Sequence, residues 1–264
     1  LKHRFKIVTP EVLDRETKKV LEIRGLRKVF HVGDIYAAVL EEINLTVGSG
    51  ELVCLVGRSG CGKSTLLKIL AGFMPPTAGQ VRIGGRPVSK PGPDRCVVFQ
   101  EDALFPWLTV EENIAFGLRG RAWPRRRVRA EVDRFLDLVG LSEFRDYLPR
   151  EISGGMKQRV ALARVLILEP QVLLMDEPFA ALDAQTRDEM QQLLLTIWQR
   201  LGQTIIFVTH DVQEAVMLAD RILLMDKGSG RIRQDIRIPM PRPRAKEAGA
   251  FMDLCRMLLE DLRA

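Results

Sequence analysis

The segment LVGRSGCGKSTLLKILAG places Gly57, Gly62, Lys63 and Ser64 at the spacing G-x-x-x-x-G-K-[ST], directly after the apolar run Leu52 to Val56. Strand, tight loop and helix are predicted in that order. Glycines let the backbone turn so that successive N–H groups point inward at phosphate oxygens, and the helix start adds its positive dipole end. The loop Gly57, Arg58, Ser59, Gly60, Cys61 and Gly62 is therefore expected to cradle a polyphosphate. Lys63 would reach its β and γ phosphates, Ser64 would offer a hydroxyl ligand to Mg²⁺, and Thr65 would continue the helix near the α phosphate. Cys61 reads either as a reactive thiol near a helix N-terminus or as small loop filler.

A second apolar run, VLLMDEP, ends in Asp176 and Glu177. Elsewhere an Asp-Glu pair is a solvated strand end; behind four apolar residues, before Pro178 and in a chain with a phosphate loop, it reads as a site at the open edge of a parallel sheet. Asp176 is expected to hold Mg²⁺ and Glu177 to polarise the water that attacks the γ-phosphate. Strand neighbours face opposite ways, which would separate the two duties. A third stretch, EISGGMKQRVALAR, sets a Ser-Gly-Gly turn before a cationic amphipathic helix. It looks like a phosphate cradle with no lysine to grip the phosphate.

Together these segments make the chain resemble an ATP-binding-cassette nucleotide-binding subunit from about Val20 to Asp226. The resemblance implies an α/β fold: a phosphate-loop core with an antiparallel β subdomain and an inserted helical subdomain. It also implies ATP and Mg²⁺ as ligands. In CVVFQ it makes Gln100 the sensor of Mg²⁺ and γ-phosphate, in AALD it makes Asp183 the D-loop acid, and in TIIFVTHD it makes His210 the switch histidine that holds the attacking water. His3 and His31 are read as structural. The family signature is Leu-Ser-Gly-Gly-Gln, whereas this chain has Ile152-Ser153-Gly154-Gly155-Met156. Its phosphate-facing part, Ser153, Gly154 and Gly155, is intact. In the family that turn closes over the nucleotide held by a partner's lysine, so a homodimer with two composite ATP sites is implied. The adenine-stacking aromatic is expected at Phe30 in LRKVF, taken as the end of the first strand, with Tyr36 as the competitor; either supplies a π face.

These residues need elements to carry them. Turn signals at Gly48-Ser49-Gly50 and Gly84-Gly85 divide a β-rich section, about Val20 to Gln100. Glu101 to Glu169 reads as mainly helical, with EENIAFGLR and VRAEVDRFLDLVG separated by the breaker GRAWPRRR. The expected divisions are an N-terminal extension, 1–19; a cassette, 20–236, with its helical subdomain at about 101–169; and a Pro-rich linker with a last helix, 237–264. Arg121, Arg125, Arg126 and Arg127 could meet acidic lipid head groups or simply form a solvated turn. Phe105, Pro106 and Trp107 could form a partner surface, or the two aromatics could belong to the core of the helical subdomain. In importers of this family that region receives a coupling helix from an integral-membrane permease, itself fed by a substrate-binding protein. The stretches GPDRCVVFQEDALFPWLTVEENIAFGL, ISGGMKQRV and PRPR resemble the branch that imports nitrate, sulfonate and taurine.

Composition is that of a globular chain: 264 residues, 46% hydrophobic, with a net charge of +6. Apolar runs are too short to span a bilayer, where about 20 residues are needed. No secretory leader pattern is read, so the expected location is the cytoplasmic face of the plasma membrane, held peripherally. Cys54, Cys61, Cys96 and Cys255 lack metal-site spacing and are read as reduced. The rival reading is a soluble cassette ATPase acting on DNA or ribosomes. It is disfavoured by the short Gln100–Ser153 interval without Cys pairs or heptads and by the single phosphate loop, so no nucleic-acid partner is expected.

Overall fold

The structure, a computed structural model, describes residues 18–33, 35–101 and 103–263. The expected N-terminal extension lies outside these residues apart from Lys18 and Lys19, and so does His3. β1 (Lys19–Val32) and β2 (Ile35–Gly48) form a long antiparallel hairpin. β3 (Leu52–Val56) opens a second sheet and is followed by α1 (Lys63–Ala71). β4 (Ala78–Ile83) and β5 (Arg86–Pro87) return to the first sheet, which has the order β2-β1-β4-β5. The expected glycine turns fall between β2 and β3 and between β4 and β5.

β6 (Arg95–Val98) precedes the helical section, made of α2 (Val110–Phe116), α3 (Arg125–Leu138) and α4 (Gly154–Leu166) with short 3-10 turns between the last two. β7 (Val172–Asp176), α5 (Ala184–Leu201), β8 (Thr204–Thr209), α6 (Val212–Leu218), β9 (Arg221–Met225), β10 (Ile232–Arg237) and α7 (Gly249–Arg263) complete the chain. The large sheet runs β10-β9-β3-β8-β7-β6, parallel except for the edge strand β10.

Its central strands are buried on both faces, which is why they read as unbroken apolar runs rather than alternating ones. Alternation still decides which core each residue joins. Cys54, Val56, Leu173, Met175 and Phe207 face the core shared with α2 to α7; Val53, Leu55, Leu174, Ile206 and Val208 face the core shared with α1 and the antiparallel sheet. The phosphate-loop helix is thus packed between two sheets. A Thr109–Glu112 capping box starts α2. Within α2, the buried Asn113 amide holds the preceding loop by accepting from the Phe105 N–H at 2.9 Å and donating to the carbonyls of Phe105, Leu108 and Thr109.

Two local expectations are corrected. Arg125 to Arg127, assigned to the breaker, begin α3, because Pro124 fixes the backbone for a helix start and stands at its N-cap. Phe30 does not end its strand: β1 runs to Val32 and Tyr36 lies in β2, paired with His31. The edge strand β10 closes the expected cassette. The Pro-rich segment after it is tied to the body of the protein. Arg244, 9% exposed, donates to the carbonyls of Val216 at 2.6 Å, Ala219 at 2.7 Å and Met240 at 3.1 Å. Burial pushes its guanidinium pKa down to about 10. Arg242 pairs with Asp220 at 2.6 Å and also donates to the Leu218 carbonyl. Beyond it α7 packs on α6 through Phe251, Leu254, Cys255 and Leu258, all buried.

Candidate functional site

Strand register brings the chemistry-bearing residues to one edge. Val56 pairs with Thr209, Val208 with Asp176 and Met175 with Val98. Loop 57–62, His210, Glu177 and Gln100 therefore all emerge from the carboxyl ends of parallel strands, the edge at which open α/β sheets bind ligands.

The loop after β3 needs its glycines for two different reasons. At Gly57 a Cβ would lie 2.6 Å from the Cys61 sulfur and 3.0 Å from the Met225 carbonyl oxygen, so close packing excludes any side chain. Gly60 and Gly62 adopt φ of 81° and 105°, the left-handed region that glycine enters without steric cost. Gly62 is also the N-cap of α1; no side chain caps this helix and no acid lies in its first turn, which leaves the positive end of its dipole uncompensated. Lys63, only 5% exposed, lies across the loop and donates to the carbonyls of Gly57 at 2.7 Å and Arg58 at 3.3 Å. Arg58, Ser59 and Gly60 are exposed and Thr65 is half-buried. Cys61 is buried, and burial raises its thiol pKa, so it sits as a protonated filler of the loop floor.

Ser64 donates its hydroxyl to Asp176 Oδ1 at 3.1 Å. Burial is the main cause that raises the Asp176 carboxyl above the usual range, and the neighbouring Glu177 charge adds to it, against the Ser64 hydrogen bond. The two acids do separate their contacts, though not by strand alternation. β7 ends at Asp176, and Glu177 is left-handed with φ 47°, its N–H donating to the Val208 carbonyl at 3.0 Å. That turn carries Glu177 Oε2 to 2.7 Å from His210 Nδ1. The His210 side chain remains 63% exposed. Gln100 is exposed two residues beyond β6, and its backbone carbonyl accepts from Gln158 Nε2 at 3.1 Å.

The second glycine turn is built differently. Ser153 N-caps α4, its hydroxyl accepting from the Met156 N–H at 3.3 Å; Ser153 and Gly154 are exposed. Nothing obstructs a Cβ at Gly154, but one at Gly155 would lie 2.5 Å from Thr186 Cγ2. Ile152 is buried and Met156 packs against the core, so both departures from the expected signature point inward. Asp183 N-caps α5, accepting from the Thr186 N–H at 3.0 Å and its hydroxyl at 2.6 Å, and these bonds hold its carboxyl below the usual range. Among the described residues no hydrogen bond joins Ser153, Gly154 or Gly155 to loop 57–64. Of the two aromatics expected to compete for the adenine, Phe30 is half-buried with Lys28 Nζ 5.1 Å from its ring centre, while Tyr36 is 74% exposed and stacks on His31 at 4.4 Å.

Three residues here escape sequence reasoning. Thr186 joins the Asp183 cap to the Gly155 turn, and its only signal is the Asp-x-x-Thr spacing of a helix cap. Gln158 ties α4 to Gln100, an inward polar position that its helical phase could have indicated. Met225 floors the phosphate loop from β9, and nothing local marks it.

Comparison with known proteins agrees with this geometry. The family model described as ABC transporter matches residues 40–180. The chain is 48% identical to a nitrate import ATP-binding protein of Synechococcus elongatus, covering 81% of this chain and 78% of that protein. It is 54% identical to a taurine import ATP-binding protein of Burkholderia pseudomallei, covering 73% and 74%. Among solved structures, a dimeric bacterial ABC transporter cassette, MJ0796, superposes with a TM-score of 0.72 at 31% identity, covering 84% of this chain and all of that one. With the lysine-bearing loop, the carboxylates behind it and the second glycine turn on one cassette fold, the chain belongs to the ABC transporter family as one of its ATP-hydrolysing subunits.

Proposed function

We propose that the chain drives uptake of a small anion such as nitrate, a sulfonate or taurine, dimerising around two ATP to power a membrane permease fed by a substrate-binding protein. The observation that carries this reading is the division of labour between the two glycine turns: one is followed by a buried lysine, the other, exposed at Ser153 and Gly154, is followed by Met156 and among the described residues is joined by no hydrogen bond to the first. Each turn needs the other, and a second copy of the chain supplies it. The names of the nitrate and taurine relatives support the substrate class.

In this reading loop 57–62 and the first turn of α1 wrap the phosphates, Lys63 neutralises the β and γ oxygens, and Phe30 or Tyr36 offers the adenine a ring face. The Ser64 hydroxyl and Asp176 carboxylate, 3.1 Å apart, are a hard-oxygen pair suited to Mg²⁺, which ordinarily completes its shell with substrate phosphates and water. When bound, Mg²⁺ supplies charge neutralisation at the phosphate oxygens, and Gln100 approaches from the neighbouring strand end. Glu177 orients and deprotonates the attacking water, and His210, bonded to Glu177, holds the carboxylate and the γ-phosphate in one frame. Ser153, Gly154, Gly155 and Asp183 act on the partner's nucleotide. The working unit is 20–236 with its helical subdomain at 101–169.

The permease dock is the loop pinned by Asn113, where Trp107 is 71% exposed and Phe105 lies 5.7 Å from it. None of the described helices is long and apolar enough to cross a membrane, so attachment through this dock at the cytoplasmic face is the arrangement proposed. Two measurements test the reading. Glu177→Gln should retain Mg²⁺-ATP and accumulate as a dimer on size exclusion; a variant that stays monomeric at every ATP concentration while wild type dimerises removes the role given to Glu177. Purification from native membranes should bring a permease with the chain, whereas ATP hydrolysis stimulated by DNA or ribosomes instead would favour the soluble reading.

A further inference from the structure

From the end of α2 into the second turn of α3 the chain carries six arginines in eleven residues, 119–129, and no acid before Glu131. Six is also the net positive charge of the whole chain. The run sets six positive charges together at one corner of the helical subdomain. Arg119, Arg125, Arg126, Arg127 and Arg129 are exposed. The acids further along α3 are engaged elsewhere, Glu131 with Arg134 at 2.8 Å and Asp133 with Arg145 at 2.9 Å.

The local backbone adds to the positive field. α3 has Pro124 at its N-cap, no side-chain cap, three arginines and no acid in its first turn. Arginine there opposes the helix dipole, so the arrangement favours an outside anion over the fold itself. Trp123, half-buried, is overlaid by the guanidinium of Arg127 at 3.8 Å from its ring centre and that of Arg121 at 4.7 Å. The patch is continuous with the proposed permease dock: Arg119 lies 4.8 Å from the Phe116 ring, and Phe116 lies 4.3 Å from Phe105.

We propose that this arginine–tryptophan corner binds the anionic phospholipid head groups beside the permease and so seats the cassette against the bilayer surface. The setting rests on the membrane-coupled reading above; the chemistry rests on the corner alone. Guanidinium forks match phosphodiester oxygens, several such contacts sum on a negative surface, and tryptophan suits the head-group boundary. A nucleic acid is the poorer fit. The charge is confined to one loop and the start of one helix rather than drawn into a groove that tracks a strand, and the Trp123 ring that would stack on a base is already overlaid by guanidinium groups.

The test is flotation of the purified chain with vesicles of phosphatidylcholine alone or mixed with phosphatidylglycerol. Wild type should partition into the anionic vesicles at least about tenfold better, the preference should fall with added salt, and a blue shift of tryptophan emission should vanish in Trp123→Phe. Arg125→Glu/Arg126→Glu/Arg127→Glu should lose the preference while keeping basal ATP hydrolysis and the melting temperature, since acids in a first helical turn suit the dipole. Equal partition of wild type into both vesicles, or of triple variant and wild type into the anionic ones, overturns the proposal. So does displacement from the vesicles by a single-stranded RNA at matched phosphate concentration. The assay contains no permease and needs no ATP, so its failure leaves the importer reading to its own test.

Discussion

The two glycine turns each open a helix, and they do so in opposite ways. Before α1 the backbone itself is the ligand: Gly60 and Gly62 are left-handed, no side chain caps the helix, and Lys63 is folded into the loop. Before α4 the backbone is ordinary, Ser153 caps the helix, and the turn is open to solvent. The first is a receptacle whose floor and inner wall come from its own chain, with Met225 below Gly57 and Val39 and Leu40 beside Gly62. In the proposed reading the second is a lid. Lys63 is buried behind the first turn, whereas Ser153 and Gly154 stand exposed at the second, as contact with another molecule requires.

The difference can be broken most completely at the receptacle. Lys63→Ala should lower ATP hydrolysis by about 10² or more, because the cation facing the β and γ phosphates is lost; purified protein turning over near the wild-type rate would sink the assignment. Damage to the lid should look different. Ser153→Arg crowds the start of α4 with a bulky cation, yet its own loop should still bind ATP. Mixing Ser153→Arg with Lys63→Ala chains then tests where the lid acts. If it acts on the partner, each heterodimer has one site with both lesions and one site with none, and nucleotide trapping returns. Were it to act within its own chain, no site would be whole, and trapping would stay at the level of the separate mutants.

A smaller effect sharpens the account of the lid. Gly155→Ala forces a methyl against Thr186 Cγ2 and should destabilise the fold by roughly 1–3 kcal/mol, the usual cost of overpacking. Thr186→Ser removes that methyl while keeping the hydroxyl bond to Asp183, and in combination should restore most of the loss in a thermal melt; no rescue would place the strain elsewhere. The smallest effect belongs to Asp176. Its carboxyl is raised by burial, so the ionised form is disfavoured in the fold; the penalty is full above the folded pKa and absent below the unfolded one. Asp176→Asn should therefore melt a few degrees higher than wild type at neutral pH, with the gap closing as pH falls into the carboxylate range, and it should bind Mg²⁺ poorly.

Sequence reasoning reads best where one physical demand fixes several adjacent residues. The phosphate loop needs left-handed glycines, a close approach and a cation in fixed order, so its strand, loop and helix were all legible, as were the two carboxylates closing β7. Contacts between distant segments were not. Thr186 against Gly155 depends on how α5 lies beside α4, and Met225 beneath Gly57 depends on β9 lying next to β3. The turn at Glu177 was missed because left-handed backbone at a glutamate carries no compositional mark. Pro124 was read as a breaker because proline ends helices as readily as it begins them, and only the following turn decides which.

The tail gives α6 a mechanical character. This helix starts just past His210, and its far end is gripped by Arg244 and Arg242 from beyond β10 while α7 lies along it. It is a cantilever clamped at the end away from the chemistry. Any movement of His210 that involves α6 then works against a mount furnished by the last thirty or so residues of the chain, whose final helix also lines a pocket with Arg58 of the phosphate loop. His210 and that mount thus stand at the two ends of one short helix.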